Sequence, residues 1–122
     1  MDHRQLMRML AAGRIAIGAS LVLLPGFAGG RWIGDASRKG EVKLIIRAMG
    51  VRDLALGAGT LHALDNGEPA RSWVLMGALS DLVDLGATTL AIRSIGLRRA
   101  LPVMVVAAAA AGAGALASEE LD

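Results

Sequence analysis

The sequence predicts an all-α protein, a four-helix antiparallel bundle that spans a membrane, and three observations lead to that fold. Of the 122 residues, 54% are apolar and the mean hydropathy is +0.52, which is high for a soluble chain of this length. The composition includes 16 Gly but only two Trp, one Phe and no Tyr, which suits helices packed closely in lipid. Four apolar segments alternate with three short polar breaks, so residues 1–122 are expected to form one transmembrane domain.

The four helices are predicted at residues 6–24, 42–64, 71–92 and 100–118. The first is expected to stop at the Pro-Gly pair at 25–26, because this pair ends helices. The second ends at the turn signal Asp-Asn-Gly at 65–67, and the third begins after Pro69. The fourth carries no charge from end to end and alone meets the strict criterion for a transmembrane helix.

A soluble four-helix bundle is the main alternative, because the second and third segments have only short uncharged runs. A surface helix in water keeps roughly four of every seven positions polar, and the third segment is far less polar than that. Its residues Gly77, Asp81, Asp84 and Thr88 follow the i, i+4, i+7, i+11 spacing of one helix face. The other faces are apolar, which favours a membrane. A secretory signal peptide is an alternative for the N-terminus, although Arg14 fits such a segment poorly.

Lysine and arginine are distributed unevenly between the two sides of the predicted bundle. The first and third breaks carry Arg31, Arg38, Lys39, Lys43, Arg93, Arg98 and Arg99. The N-terminus and the second break carry Arg4, Arg8 and Arg71, and the C-terminus is acidic, with Glu119, Glu120 and Asp122. The positive-inside rule therefore places the first and third breaks in the cytoplasm and both termini outside. The expected location is the inner membrane of a bacterium, as a multi-pass protein.

Five charged residues lie within the predicted helices: Arg14, Arg52, Asp53, Asp81 and Asp84. At 1.5 Å per residue they are placed roughly 9 to 18 Å below the outer ends of their helices, so they can meet near the bilayer midplane. An unpaired ion there costs on the order of 2.5 to 3.5 kcal/mol, so a paired network is expected. Gly18, Gly50 and Gly57 lie close by along their helices and are expected to let neighbouring backbones approach.

The predicted network has two arginines and three aspartates, which leaves one carboxylate in excess and favours a bound proton or a cation. Two interpretations of Asp81 and Asp84 stay open. They are either structural counter-ions that hold the helices in register, or a proton or substrate site.

Other chemistry has little support in the sequence. The chain has no cysteine, and His62 has no second histidine near it because His3 lies in the N-terminal tail, so no metal site is predicted. No phosphate loop or nucleophile–base motif is recognisable, so neither an enzyme nor a cofactor is expected. The arginines are spread along an apolar chain, which disfavours nucleic-acid binding. Trp32 and Trp73 fit either interfacial anchors or ordinary packing positions.

Several short motifs carry a resemblance to a known group. They are Leu-Leu-Pro-Gly-Phe at 23–27, Trp-Ile-Gly at 32–34, Arg-Ala-Met-Gly-Val-Arg-Asp at 47–53 and Ser-Asp-Leu-Val-Asp at 80–84. This pattern resembles small four-span bacterial membrane proteins of unknown function that are distantly DoxX-like. The resemblance covers most of the chain and implies the four-helix fold, and it supplies no catalytic residue.

The expected function is a non-enzymatic one, that of an accessory or scaffold protein in the membrane. The alternative is a proton-coupled transporter or binder of a small molecule that acts as a homo-oligomer, since four spans are few for a complete transporter. The expected partners are the lipid bilayer and either a second copy of the chain or a larger membrane complex.

Overall fold

A computed structural model describes residues 2–118, and this part of the chain is helical almost throughout. The helices are α1 (His3–Leu23), α2 (Pro25–Ile33), α3 (Gly40–Asp65), α4 (Arg71–Leu90), α5 (Ile92–Ile95) and α6 (Leu97–Ser118). A 3-10 turn, Gly34–Arg38, joins α2 to α3. The predicted all-α class is confirmed. The acidic C-terminal residues Glu119, Glu120 and Asp122 lie outside the described residues.

The prediction that the first break is only a short polar connection is wrong, because this segment contains the helix α2 and the 3-10 turn. Pro25 is the first residue of α2, a position where its missing N–H has no cost and its fixed φ favours a helix. The same proline that ends α1 therefore starts the next helix. At the other end, α1 begins earlier than predicted, because the Asp2 carboxylate accepts the backbone N–H of Gln5 at 2.7 Å and caps the helix.

The third predicted helix is also divided. α4 ends at Leu90, the single turn α5 comes next, and Gly96 at φ +86° ends that turn in a conformation that favours glycine. α6 then begins at Leu97, three residues before the predicted start at residue 100, and contains Pro102 in its interior. The central parts of the four predicted helices are all helical, so the differences lie at their ends.

The four long helices pack as two pairs, α1 with α3 and α4 with α6, and the pairs contact each other less extensively. Glycine makes the first pair close. A Cβ atom at Gly18 would lie 2.6 Å from the Gly50 carbonyl oxygen, and a Cβ at Gly50 would lie 2.7 Å from the Gly18 carbonyl oxygen. A Cβ at Gly57 would lie 2.7 Å from the carbonyl oxygen of Ala11. The predicted close approach of backbones at these three glycines is confirmed.

The bundle has small residues inside and large apolar residues outside. Within residues 2–118, the largest fully buried side chains are those of Met7 and Ser37. By contrast, Leu79, Leu82 and Val83 on α4 are between 53% and 57% exposed. Of the described helices, α1, α4 and α6 are long and apolar enough to cross a membrane, whereas α3 carries more charge. Such an aliphatic exterior is typical of a protein surrounded by lipid.

The two ends of the bundle are built differently. At the end near the N-terminus, Met7, Ala63, Leu64, Ala70, Val74 and Ala117 form a cluster of buried apolar residues, called here the terminal cluster. It joins α1, α3, α4 and α6. The opposite end, called here the loop end, holds α2, the 3-10 turn and α5. The five charged residues predicted to form a network lie between the terminal cluster and the loop end; they are Arg14, Arg52, Asp53, Asp81 and Asp84.

Candidate functional site

One face of α4 provides the base of the site. Gly77, Asp81 and Thr88 are buried and Asp84 is half-buried, so the face predicted from their spacing is confirmed. Gly77 leaves space for an arginine from α1, because a Cβ at this position would lie 3.0 Å from Arg14 Nη2. The glycine therefore allows a guanidinium to lie flat against α4.

Arg14 joins all three charged helices. Its Nη2 donates to Asp81 Oδ2 at 2.7 Å and its Nη1 donates to Asp81 Oδ1 at 3.2 Å, a bidentate pair between α1 and α4. Arg14 Nη1 also donates to Asp53 Oδ1 on α3 at 3.3 Å. Two parallel N–H···O bonds fix both the distance and the orientation of the partners, so Arg14 sets the position of α4 relative to α1.

Arg52 makes a second bidentate pair, this time between α3 and α4. Its Nη2 and Nη1 donate to Asp84 Oδ2 at 2.8 Å and Asp84 Oδ1 at 3.3 Å. Arg52 Nη2 also donates to Asp53 Oδ1 at 3.4 Å. Asp53 therefore accepts from both arginines, and the five residues form one continuous chain, Asp81–Arg14–Asp53–Arg52–Asp84, called here the Arg/Asp network. The structure brings together all five residues that the sequence singles out.

The network is largely shielded from the surroundings. Asp53 is 7% exposed and Asp81 8%, while the Arg52 side chain is the most accessible of the five at 31%. In a low-dielectric interior such pairs attract more strongly than in water, and removing one partner leaves the other as a buried, unpaired ion. One donor is unused: Arg52 Nε is buried and has no hydrogen-bond partner within the described part of the chain.

A cavity of about 590 Å³ lies beside the network, and all five network residues line it. Its walls are apolar and come mainly from α1 and α6, with Leu10 and Ile17 on one side and Val103 and Val106 on the other. Ile17 and Val106 are also 51% and 58% exposed, so the cavity opens sideways between α1 and α6. The site is thus a charged floor beneath apolar walls, reached from the outside of the bundle.

Three further lining residues are not among the predicted site residues. Trp32 on α2 donates from Nε1 to Thr88 Oγ1 at 3.1 Å, and it lines the cavity together with Arg31 and Arg99. The sequence indicates only an anchor or packing role for Trp32, and it uses the two arginines only as topology signals. No helical periodicity links these residues to the network, because α2 falls in a predicted break and α6 lies far along the chain.

The other candidates lie outside the site. Trp73 packs against Gly59 on α3, and His62 contacts Asn66 at the end of the same helix. Within residues 2–118, no group of three or more His, Asp or Glu side chains is arranged to hold a metal ion.

No protein-family model, curated protein or solved structure matches this chain. The geometry of the site is therefore the basis for a functional proposal.

Proposed function

We propose that the protein is an integral protein of a bacterial inner membrane in which α1, α3, α4 and α6 all cross the bilayer. α3 has 26 residues and is about 39 Å long, more than the roughly 30 Å of hydrocarbon that it must cross. Its central charges, Arg52 and Asp53, have partners on α1 and α4, which lowers the cost of placing them in lipid. The concentration of Lys and Arg at the loop end supports a cytoplasmic location for that end.

For a membrane protein of this kind, the proposed function is non-enzymatic binding of a small molecule inside the membrane. The observation that carries it is the cavity of about 590 Å³, which combines apolar walls with five converging charged side chains. Binding sites for small molecules typically enclose about 300 to 1,000 Å³ and have this same composition, mostly apolar with a few placed polar groups.

The network has a supporting role in this proposal. Both arginines are already bound by carboxylates, so the network fixes the relative positions of α1, α3 and α4 and thereby keeps the cavity open. The residues that carry the resemblance to the DoxX-like group, Arg52-Asp53 and the two aspartates of α4, are network members. The resemblance and the site therefore point to the same part of the molecule.

Two variants test binding in the cavity. Gly13 on α1 lines the cavity, and a Cβ there would meet nothing within 4 Å, so Gly13→Leu adds a side chain that begins in empty space. The matched control is Gly86→Leu on α4, where a Cβ also meets nothing within 4 Å but the residue lies outside the cavity lining.

The probe is methyl α-bromododecanoate, a neutral amphiphile whose bromine quenches tryptophan fluorescence. In a Trp73→Phe background in non-ionic detergent only Trp32, which lines the cavity, emits. We expect saturable quenching that Gly13→Leu weakens about tenfold or more and Gly86→Leu leaves unchanged, because a filled pocket loses its contacts with the ligand. Quenching that does not saturate, or that is equal in the two variants, would contradict binding in the cavity.

An accessory or scaffold role is the second candidate, supported by the bidentate pairing of Arg14 with Asp81 and of Arg52 with Asp84. A protein with that role should co-purify at fixed stoichiometry with a larger membrane complex. A transporter or binder acting as a homo-oligomer should instead form a concentration-dependent dimer, which light scattering in detergent distinguishes.

A further inference from the structure

A pair of arginines at the loop end of the cavity is separate from the Arg/Asp network. Arg31 lies on α2 with its guanidinium 5.1 Å from the centre of the Phe27 ring, a cation–π contact. Arg99 lies in the first turn of α6 and packs against Gly34. Both line the cavity.

The position of Arg99 depends on Gly34. This residue has φ +83°, and a Cβ there would lie 3.1 Å from the guanidinium carbon of Arg99. Glycine is favoured at such a φ and also leaves space for the guanidinium. The turn between α2 and α3 is therefore shaped to accept an arginine from α6 beside the cavity.

Among residues 2–118, no carboxylate pairs with either arginine. The salt bridges formed within residues 2–118 involve Arg8, Arg14 and Arg52, and none involves Arg31 or Arg99. The floor and the loop end of the cavity thus differ in charge. The floor holds two arginines neutralised by three aspartates, whereas the loop end presents two arginines without carboxylates in contact.

Apart from these charged regions the cavity lining is apolar and elongated. On α1 its lining extends from Met9 to Leu21, about 18 Å at 1.5 Å per residue. On α6 it extends from Arg99 to Ala110 and includes Val103 and Val106. The cavity therefore has a cationic end, a long apolar groove and a side opening between α1 and α6.

We propose that the occupant is a single-chain amphiphile with an anionic head group, taken from the bilayer through the gap between α1 and α6. This inference rests on the proposed function and names the class of ligand. The acidic head group binds Arg31 and Arg99, and the hydrocarbon chain extends along α1 and α6 towards Ala110. The planar forks of two arginines match the oxygens of a carboxylate or a phosphate monoester.

The order of polarity in the cavity matches that of the bilayer. Arg31, Trp32 and Arg99 lie at the loop end of the bundle, at the depth where head groups and aromatic belts are found, and the apolar groove extends inward from them. An amphiphile can therefore move from the cytoplasmic leaflet into the cavity without taking its charge through hydrocarbon. Arg14 and Arg52 are not the head-group site, because an anion there would have to displace Asp81 or Asp84.

The test compares two probes with the same chain and a charged or a neutral head group, α-bromododecanoic acid and its methyl ester. Binding is followed by quenching of Trp32 in the Trp73→Phe background, at a pH where the acid is ionised. We expect the acid to bind about tenfold more tightly than the ester, because charge-assisted hydrogen bonds form only with the acid. Arg31→Gln with Arg99→Gln should abolish this preference, because affinity for the acid should fall about tenfold, to that of the ester.

The control is Arg93→Gln with Arg98→Gln, two arginines of the same region that lie outside the cavity lining and should leave both affinities unchanged. If Arg31→Gln with Arg99→Gln unfolds the protein, Arg31→Lys with Arg99→Lys keeps the charge, and it should retain part of the preference for the acid. If the protein with Arg31 and Arg99 unchanged binds the acid and the ester with equal affinity, the head-group assignment is wrong. Binding in the cavity would still stand. Absence of saturable quenching by either probe would overturn the proposed function as well.

Discussion

The terminal cluster and the cavity region hold the same four helices together by different means. At the terminal cluster, Met7, which is 1% exposed, packs among alanine, leucine and valine side chains from the neighbouring helices. In the cavity region the helices are separated by about 590 Å³ of space, and the two pairs are connected by arginine–carboxylate bonds. Dispersion contacts need continuous packing, whereas bidentate ion pairs fix a geometry across a few atoms. A bundle that must contain a cavity can therefore be closed at one end by packing and braced near its middle by charge.

The largest expected effect is a difference in maleimide labelling between the two ends of the bundle. The chain contains no cysteine, so an introduced cysteine is the one thiol in the protein that a maleimide can label. In the proposed topology four helices cross the membrane and the loop end lies in the cytoplasm. Asn66→Cys should then react with a membrane-impermeant maleimide from outside. Asp35→Cys should react only after lysis. The measurement is labelling of right-side-out spheroplasts before and after disruption. Labelling of both positions from the same side would mean that α3 does not cross.

The next largest effect is the difference in stability lost when a buried ion pair or an exposed ion pair is removed. Asp81→Asn removes the bidentate partner of Arg14 at a residue that is 8% exposed, and we expect it to lower the free energy of unfolding by about 3 kcal/mol. The matched control, Asp65→Asn, removes a pair with Arg8 at 2.6 Å whose side chains are 44% and 58% exposed. Such exposed pairs contribute about 1 kcal/mol at most, so thermal unfolding in detergent should change little.

Equal destabilisation by Asp81→Asn and Asp65→Asn would mean that the Arg/Asp network does not brace the bundle. A stabilising Asp81→Asn would instead identify this carboxylate as one kept for function at a cost in stability, which would favour the proton-coupled alternative.

The smallest effect compares two methionines of α1 that lie two residues apart. Met7→Ala leaves a void in the terminal cluster, and we expect it to cost about 2 kcal/mol. Met9→Ala enlarges a cavity that already exists at a residue that is 60% exposed, so its cost should be about 0.5 kcal/mol or less. Denaturant titration of both variants provides the measurement. A Met9 variant as unstable as the Met7 variant would show that the cavity walls are as tightly packed as the cluster.

Much of the fold could be predicted because its signals are local. The apolar segments, the turn at residues 65–67 and the buried face of α4 all result from periodicity and composition within one stretch of chain. The helix α2 could not be predicted in the same way, because Pro25-Gly26 is a stop signal for one helix and Pro25 is also a favourable first residue for another. Whether the proline also starts a helix depends on whether residues 26–33 can pack against the rest of the bundle, and that is a tertiary property.

By itself, the sequence determined the all-α class and predicted the members of the charged network, because charges inside predicted membrane helices are expected to pair and these five residues were predicted to lie deepest. Only the tertiary structure decided that Arg14 pairs with Asp81 and Arg52 with Asp84, and that Arg31 and Arg99 meet at one cavity. These contacts join positions 32 and more residues apart, and no local pattern specifies the distance between helices that creates the cavity. Packing between helix pairs sets that distance, and it depends on all four helices together.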